Sequence, residues 1–240
     1  MGSRLLAKAG RLCGEVVGTV VATSPEVRRA LLDEHWVPPG KTIVIPHGVN
    51  IERFSDPGRR GPARVLWGVP EEAPLVGAVL QTEDPGEREL LRAVFEAVQR
   101  RVPEARFVCC GLRGELGPSQ GLGPYADSPA FYAAIDVLCV PRVSAVVPPA
   151  LLEGLAAGVP VVGCESPGRD GGGPESAPGE PWAYARRAAA EPEALGELLA
   201  EQLREPEAAR ARSAEGRACV EARHSIESVV ERVQRLYGSS

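Results

Sequence analysis

The sequence predicts an α/β fold, a doubly wound parallel sheet flanked by helices and closed by further helices at its C-terminal end. Three observations carry that expectation. From Leu75 onward, short apolar strand-like runs alternate with amphipathic helical segments. Ile135 to Pro141 reads as a buried strand covered on both faces. Val140 to Val162 reads as a strand end, a loop, a helix opened by prolines, a glycine stop and a second buried strand. In a parallel sheet such a loop and helix start lie at the carboxyl edge, where open α/β sheets take their ligands.

Element by element, residues 4–13 carry helical apolar spacing, and Val16 to Ala22 is a strand-like run. Ser24-Pro25-Glu26 supplies an N-cap and then proline at the first helical position. The helix that follows carries Val27, Leu31 and Leu32 and ends near Val37 to Gly40. Thr42 to Pro46 is a short strand, succeeded by His47-Gly-Val-Asn50 and Arg53-Phe54. Residues 55–63, rich in Gly, Pro and Arg, read as a linker.

Leu75 to Leu80 is the next strand, then an amphipathic helix over 86–100 and a strand from Ala105 to Cys110. Residues 111–127 read as glycine- and proline-rich loop. Pro129 to Ala134 makes a short helix before the Ile135–Pro141 strand, and a helix over about 149–157 precedes the Val159–Cys164 strand. Residues 165–181 are loop, with a glycine cluster at 168–173 that lacks the spacing of a phosphate loop. After an irregular stretch around Trp182 and Tyr184, segments 192–204, 206–222 and 225–238 are helical.

Composition narrows the function classes. The chain has 240 residues, 44% hydrophobic and 25% charged, enough for a full core. A net charge of −5 without a dense basic cluster argues against nucleic acid as a partner. No apolar run approaches the roughly 18 residues of a membrane span. The six cysteines, at 13, 109, 110, 139, 164 and 219, form no CxxC pair and read as buried thiols of a reducing compartment. No metal site is expected, and the cytoplasm is the expected location. His35 and His224 have no partners at catalytic spacing and read as surface or satisfied histidines.

Several stretches resemble a known family, the family-4 glycosyltransferases of the two-Rossmann-domain, GT-B type. They are Val21 to Leu32 (VATSPEVRRALL), Ile43 to Phe54 (IVIPHGVNIERF), Trp67 to Pro70, Phe131 to Pro141 and Leu151 to Val162 (LLEGLAAGVPVV). The resemblance implies a Rossmann-like donor domain that binds a nucleotide-diphosphate sugar, with no further cofactor. It covers only part of such an enzyme. Residues 1–54 match the close of an acceptor-binding domain and the interdomain segment, and 55–63 the linker. Residues 64–224 match the nucleotide-sugar domain and 225–240 a closing helix. An acceptor-domain protein partner is therefore expected.

The resemblance also implies a site. Glu153 matches the second glutamate of the family's E-x7-E motif, which holds the nucleotide ribose. A carboxylate suits a vicinal diol, since its two oxygens accept from both hydroxyls. Read on charge alone, Glu153 serves equally as a complement to its helix dipole. The first glutamate falls on Ala145, which can neither accept a hydrogen bond nor carry charge. Pro148 and Pro149 replace loop residues whose N–H groups face the donor, while Val146, Val147 and Ala150, with the other amides up to 151, keep theirs.

The family's diphosphate-binding arginine and lysine fall near Gln81 and Gly86, and the loop carries Glu83, Asp84 and Glu87 instead. Each acidic side chain at about 4 Å from a diphosphate costs on the order of 1–4 kcal/mol. Arg88, at the helix start, and Arg142, just past the Ile135–Pro141 strand, are the two candidate cations to replace them. Asp136 is a structural residue, and His47 reads as linker packing with ligand contact as the alternative. Two functions stay open: retaining transfer from a nucleotide sugar, or a catalytically inactive scaffold or interaction subunit descended from such an enzyme.

Overall fold

The computed structural model describes residues 16–34, 37–80, 84–112, 114–123, 127–141, 147–164 and 180–238. The expected helix at 4–13, the glycine cluster at 168–173, and Cys13, His35, Gln81, Glu83, Arg142, Ala145 and Val146 lie outside the described residues.

The main body is a seven-stranded sheet. Its strands are β3 (Leu75–Val79), β4 (Arg106–Cys110), β5 (Glu115–Leu116), β6 (Ser119–Gly123), β7 (Val137–Val140), β8 (Val161–Cys164) and β9 (Arg186–Ala188). They lie in the order β5-β6-β4-β3-β7-β8-β9, and every neighbouring pair is parallel except β5 and β6. The four strands expected at the centre therefore do lie side by side and parallel. From β3 the chain steps outward through β4 to β6, then returns to β7 and steps the other way. This is the six-strand doubly wound order, with its reversal between β3 and β7.

The helices cover both faces. On one, α3 (Pro85–Arg101) and α6 (Pro192–Arg204) bury Leu91, Val94, Phe95, Leu195 and Leu199 against Val76, Cys109 and Cys139. On the other, α4 (Ser128–Ala134), α5 (Pro149–Ala156) and α7 (Pro206–His224) bury Phe131, Tyr132, Leu151, Leu155 and Val220 against Leu75, Val108 and Leu138. Alternate strand residues face alternate layers, which explains why β3 and β7 are apolar throughout and β4 from Phe107 onward. A second, two-stranded parallel sheet pairs β1 (Val20–Ala22) with β2 (Thr42–Val44). Between them runs α1 (Pro25–Asp33), whose Ser24 cap accepts from Val27 N–H as expected. A last helix, α8 (Ile226–Gly238), follows α7.

Three sequence expectations need correction. Residues 111–127 are not all loop, because β6 extends the sheet beside β4 and pairs with β5 in a short hairpin. Glycines at 111, 114, 117, 121 and 123 hid these strands, since glycine is depleted in strands and reads as turn. Here the glycines permit close crossing. A Cβ at Gly121 would lie 2.3 Å from Gly114 O and 2.7 Å from Leu112 O, where the chain passes over β6.

Likewise, the stretch read as a linker at 55–63 is not irregular chain. It forms a 3-10 turn at Pro57–Arg59 and begins α2 (Arg60–Leu66). Asp136 holds α2 in place: its carboxylate accepts from Arg60 Nη2 and Arg64 Nη2 at 2.8 Å each, and from Leu75 N–H at 2.8 Å. One carboxylate thus joins α2 to the starts of β3 and β7, the structural part expected of it. Thirdly, β9 was not legible in the irregular stretch, because Arg-Arg-Ala, half-buried at an edge, shows no apolar alternation.

All five described cysteines are buried, and burial pushes the Cys109 and Cys110 thiols up to about 12. They are protonated and inert as nucleophiles at neutral pH. No helix among the described residues is long and apolar enough to cross a membrane.

Candidate functional site

The carboxyl edge at the β3/β7 reversal is where this architecture presents a crevice. The residues directly after those strands, 81–83 and 142–146, lie outside the described set, so the edge is built up from α3, α5 and the segment at 47–54.

At the start of α5, Pro148 is the N-cap residue with no side-chain cap, and Pro149 takes the first helical position. Pro148 O accepts from Leu151 N–H at 3.0 Å and from Leu152 N–H at 3.5 Å. The amide of Leu151, expected among those facing a ligand, is therefore committed to the helix. Val147 and Ala150 remain at the helix start. Val147 is half-buried against the core, and Ala150 is buried.

Glu153, half-buried on α5, lines a cleft of about 230 Å³. Pro149 and Leu152 share its wall, and His47, Gly48, Val49, Asn50, Arg53 and Phe54 form the wall opposite. The negative charge of Glu153 helps raise the Cys110 thiol at the end of β4, after burial and Cys109. Glu153 thus lies within electrostatic reach of the end of β4 while lining the cleft. The structure brings His47 to this cleft and adds Asn50 and Arg53, which sequence reasoning did not weigh. About 100 residues separate them from Glu153, and no local pattern links the two segments.

Arg88 reaches the same edge from the other face of the sheet. Its backbone N–H donates to Asp84 O at 3.1 Å in the first turn of α3. Behind burial and a hydrogen bond from the Leu80 backbone, Glu87 raises the Cys109 thiol and the Arg88 charge lowers it. Asp84 caps its own helix, accepting from Gly86 N–H at 3.0 Å. Among the described residues no three His, Cys, Asp or Glu side chains come together as a metal-ligand set.

Larger cavities also open among the described residues. One of about 600 Å³ opens at the opposite, amino edge, around Pro74, Asp136 and Pro160, and meets the Glu153 cleft only at Phe54. Another of about 560 Å³ is largely apolar and lies between Trp67, Leu122, Phe131 and Cys110. Through Cys110 it adjoins the carboxyl edge on the β4/β6 side.

The wall at 47–50 is tied to the α7/α8 joint. Val49 N–H donates to His224 O at 2.8 Å, Ile226 N–H donates to Val49 O at 3.0 Å, and His224 Nδ1 lies 3.1 Å from His47 O. His224 is buried and satisfied, as expected of it. Burial is the main influence on its pKa and carries it below the ordinary value. The His47 carbonyl and Glu180 oppose that shift, and Arg232 and Arg223 add to it.

In the folded protein His224 thus resists protonation, whereas the unfolded chain takes the proton near pH 6.5. Between those two pKa values the unfolded state binds more protons, so stability falls as pH drops below about 6.5. Urea unfolding at about pH 7.5 and 5.5 checks this. The loss on acidification should be smaller in His224→Gln, and an equal loss in both proteins would remove His224 from the account.

Fold and edge together define a Rossmann-like domain of the GT-B kind. Residues 74–200 match the family model described as glycosyl transferases group 1, and the chain belongs to that family. A D-inositol 3-phosphate glycosyltransferase of Kineococcus radiotolerans is 30% identical over 131 residues, a match covering 50% of this chain and 28% of the relative. The crystal structure of HepE from Anabaena in complex with UDP and glucose superposes with a TM-score of 0.77 at 17% identity, covering 100% of this chain and 68% of that one. The sucrose-phosphate synthase of Thermosynechococcus elongatus gives 0.77 at 21% identity, over 98% of this chain and 61% of that one. The matched part thus spans under a third of the curated relative, and the chain about two-thirds of these solved structures.

Proposed function

We propose that this protein is the nucleotide-sugar-binding part of a retaining, metal-independent family-4 glycosyltransferase. The observation that carries the reading is Glu153, half-buried on the helix that follows β7 and lining the cleft shared with residues 47–54. Its two oxygens would accept from the ribose diol, and the apolar hollow at Trp67, Leu122 and Phe131 is large enough for a base ring. Arg88, Arg142 and the N–H groups of Val146, Val147 and Ala150 would stabilise the departing diphosphate. Catalysis would be chiefly positioning and electrostatic stabilisation. HepE, solved with UDP and with UDP-glucose, supplies the analogy for the donor class.

In this reading residues 1–54 are the close of an acceptor-binding domain, 64–224 the donor domain and 225–240 the closing helix. Transfer in this reading requires a separate protein partner that supplies the acceptor-binding domain. The buried thiols fit a reducing, cytoplasmic compartment.

A second reading, a non-catalytic scaffold, draws on specific observations. Pro148 and Pro149 offer no N–H, Leu151 and Leu152 give theirs to Pro148 O, and Glu87 stands at the same edge as Arg88.

Thermal unfolding with UDP, GDP and ADP separates the two. A ligand at 100 times its Kd adds about 2.7 kcal/mol of stability. Under the donor reading, one of the three at sub-millimolar concentration raises the Tm of the wild type and not of Glu153→Ala. No shift with any of them selects the scaffold.

A further inference from the structure

The closing helix α8 carries more apolar surface than its own chain covers. Its large apolar residues are Ile226, Val229, Val230, Val233, Leu236 and Tyr237, and none of them is fully buried. Val229 sits on the segment at 47–50, where a Cβ added at Gly48 would lie 3.1 Å from its Cγ2. Val229, Val233 and Leu236 are half-buried, whereas Ile226 is 38% exposed, Val230 44% and Tyr237 80%. An amphipathic helix is held in place by burying its apolar stripe, so a stripe left open along the helix calls for a cover.

Two regularities of α8 say what that cover is. Ile226, Val230, Val233 and Tyr237 follow spacings of four, three and four, a seam that reads the same from either end. A second copy laid antiparallel across it brings Ile226 against Tyr237 and Val230 against Val233, once on each side of a twofold axis. The charges repeat the logic. Glu227 and Glu231 occupy the first part of the helix, Arg232 and Arg235 the second. Antiparallel copies set each acidic part against a basic one, and parallel copies would set like against like. The Arg235–Glu231 pair within one copy is 3.6 Å apart with side chains 78% and 66% exposed, so it is weak enough to exchange partners.

We propose that α8 is the contact of a symmetric homodimer, an antiparallel helix pair whose twofold axis passes between Glu231 and Arg232. A helix of 13 residues is about 20 Å long, so the pair buries less than the roughly 1,000 Å² of a permanent interface, and the dimer forms reversibly. The dimer stands apart from the donor reading, since no α8 residue lines the Glu153 cleft.

Sedimentation velocity of the full chain over about 5–500 µM tests it. The mass should rise from 25.4 kDa toward twice that value. Val230→Glu places a carboxylate in the seam, and Tyr237→Ser removes a ring that a single copy leaves in solvent. Each should weaken association roughly tenfold or more. Glu227→Arg with Glu231→Arg makes the helix wholly basic, and Arg232→Glu with Arg235→Glu makes it wholly acidic. Both should self-associate less than the wild type, and an equimolar mixture of the two should associate again. Matched Tm values at low concentration would show that every variant is folded.

A wild type that stays monomeric across the range overturns the proposal and leaves the stripe to a different protein. Association unchanged in both Val230→Glu and Tyr237→Ser puts the contact on another surface and overturns it as well. Charge variants that associate as the wild type does overturn the antiparallel arrangement.

Discussion

Arg64→Ala is expected to destabilise the protein by about 3–5 kcal/mol, the usual loss when one partner of a buried ion pair is removed. Arg64 has no solvent exposure, and its guanidinium spends every nitrogen. Nε donates to Ala134 O at 2.9 Å, and Nη2 to Asp136 at 2.8 Å. Nη1 donates to Pro70 O, Glu71 O and Ala73 O at 2.9, 2.7 and 2.8 Å. Alanine would strip these carbonyls of a donor, leave a cavity the size of an arginine side chain and reduce Asp136 to Arg60 and Leu75 N–H.

Burial is the main force on the Arg64 pKa and lowers it, against the opposing pull of Asp136. Even so a guanidinium stays protonated at neutral pH. Lysine is no remedy, because three donors on one atom cannot span acceptors spread over two segments. For a chain of this size the alanine variant should melt roughly 6–20 °C lower. A loss below about 1 kcal/mol in urea would show that the cluster contributes little.

Gly111→Ala is expected to cost about 2–5 kcal/mol and to disturb the carboxyl edge itself. Gly111 sits at φ +84°, in the left-handed region, where a side chain adds about 1–2 kcal/mol. Its Cβ would also fall 2.0 Å from Leu80 O, a backbone atom without freedom to move aside. Relief requires parting the ends of β3 and β4, and Leu80 N–H donates to Cys110 O at 2.9 Å across that junction. The overpacking adds about 1–3 kcal/mol. Urea unfolding measures the total. A fully stable Gly111→Ala would mean that this crossing is looser than its geometry implies.

These two sites also show what could be read from sequence alone. The central strands and the helices at 86–100, 149–157 and 192–238 were legible because apolar spacing and proline starts mark them locally. The helix carrying Glu153 was legible through the strand–loop–helix wording around it. Other features were silent for physical reasons. Gly121 and its neighbours disguise β6 as loop, since the absent side chains are what allow the chain to cross itself. The start of α2 looked like linker, because its Gly-Pro-Arg wording does not reveal that Arg60 and Arg64 both reach Asp136. The cleft wall of His47, Asn50 and Arg53 could not be joined to Glu153 without the fold.

The Val49–Ser225 bridge has a consequence for biosynthesis. His224 meets His47 across a separation of 177 residues, so one side of the cleft is pinned by the joint between the last two helices. During translation the parallel core can assemble while that wall is still unanchored. The segment at 47–50 therefore gains its anchor only once residues 224–226 have emerged, long after Glu153 and the strands around it.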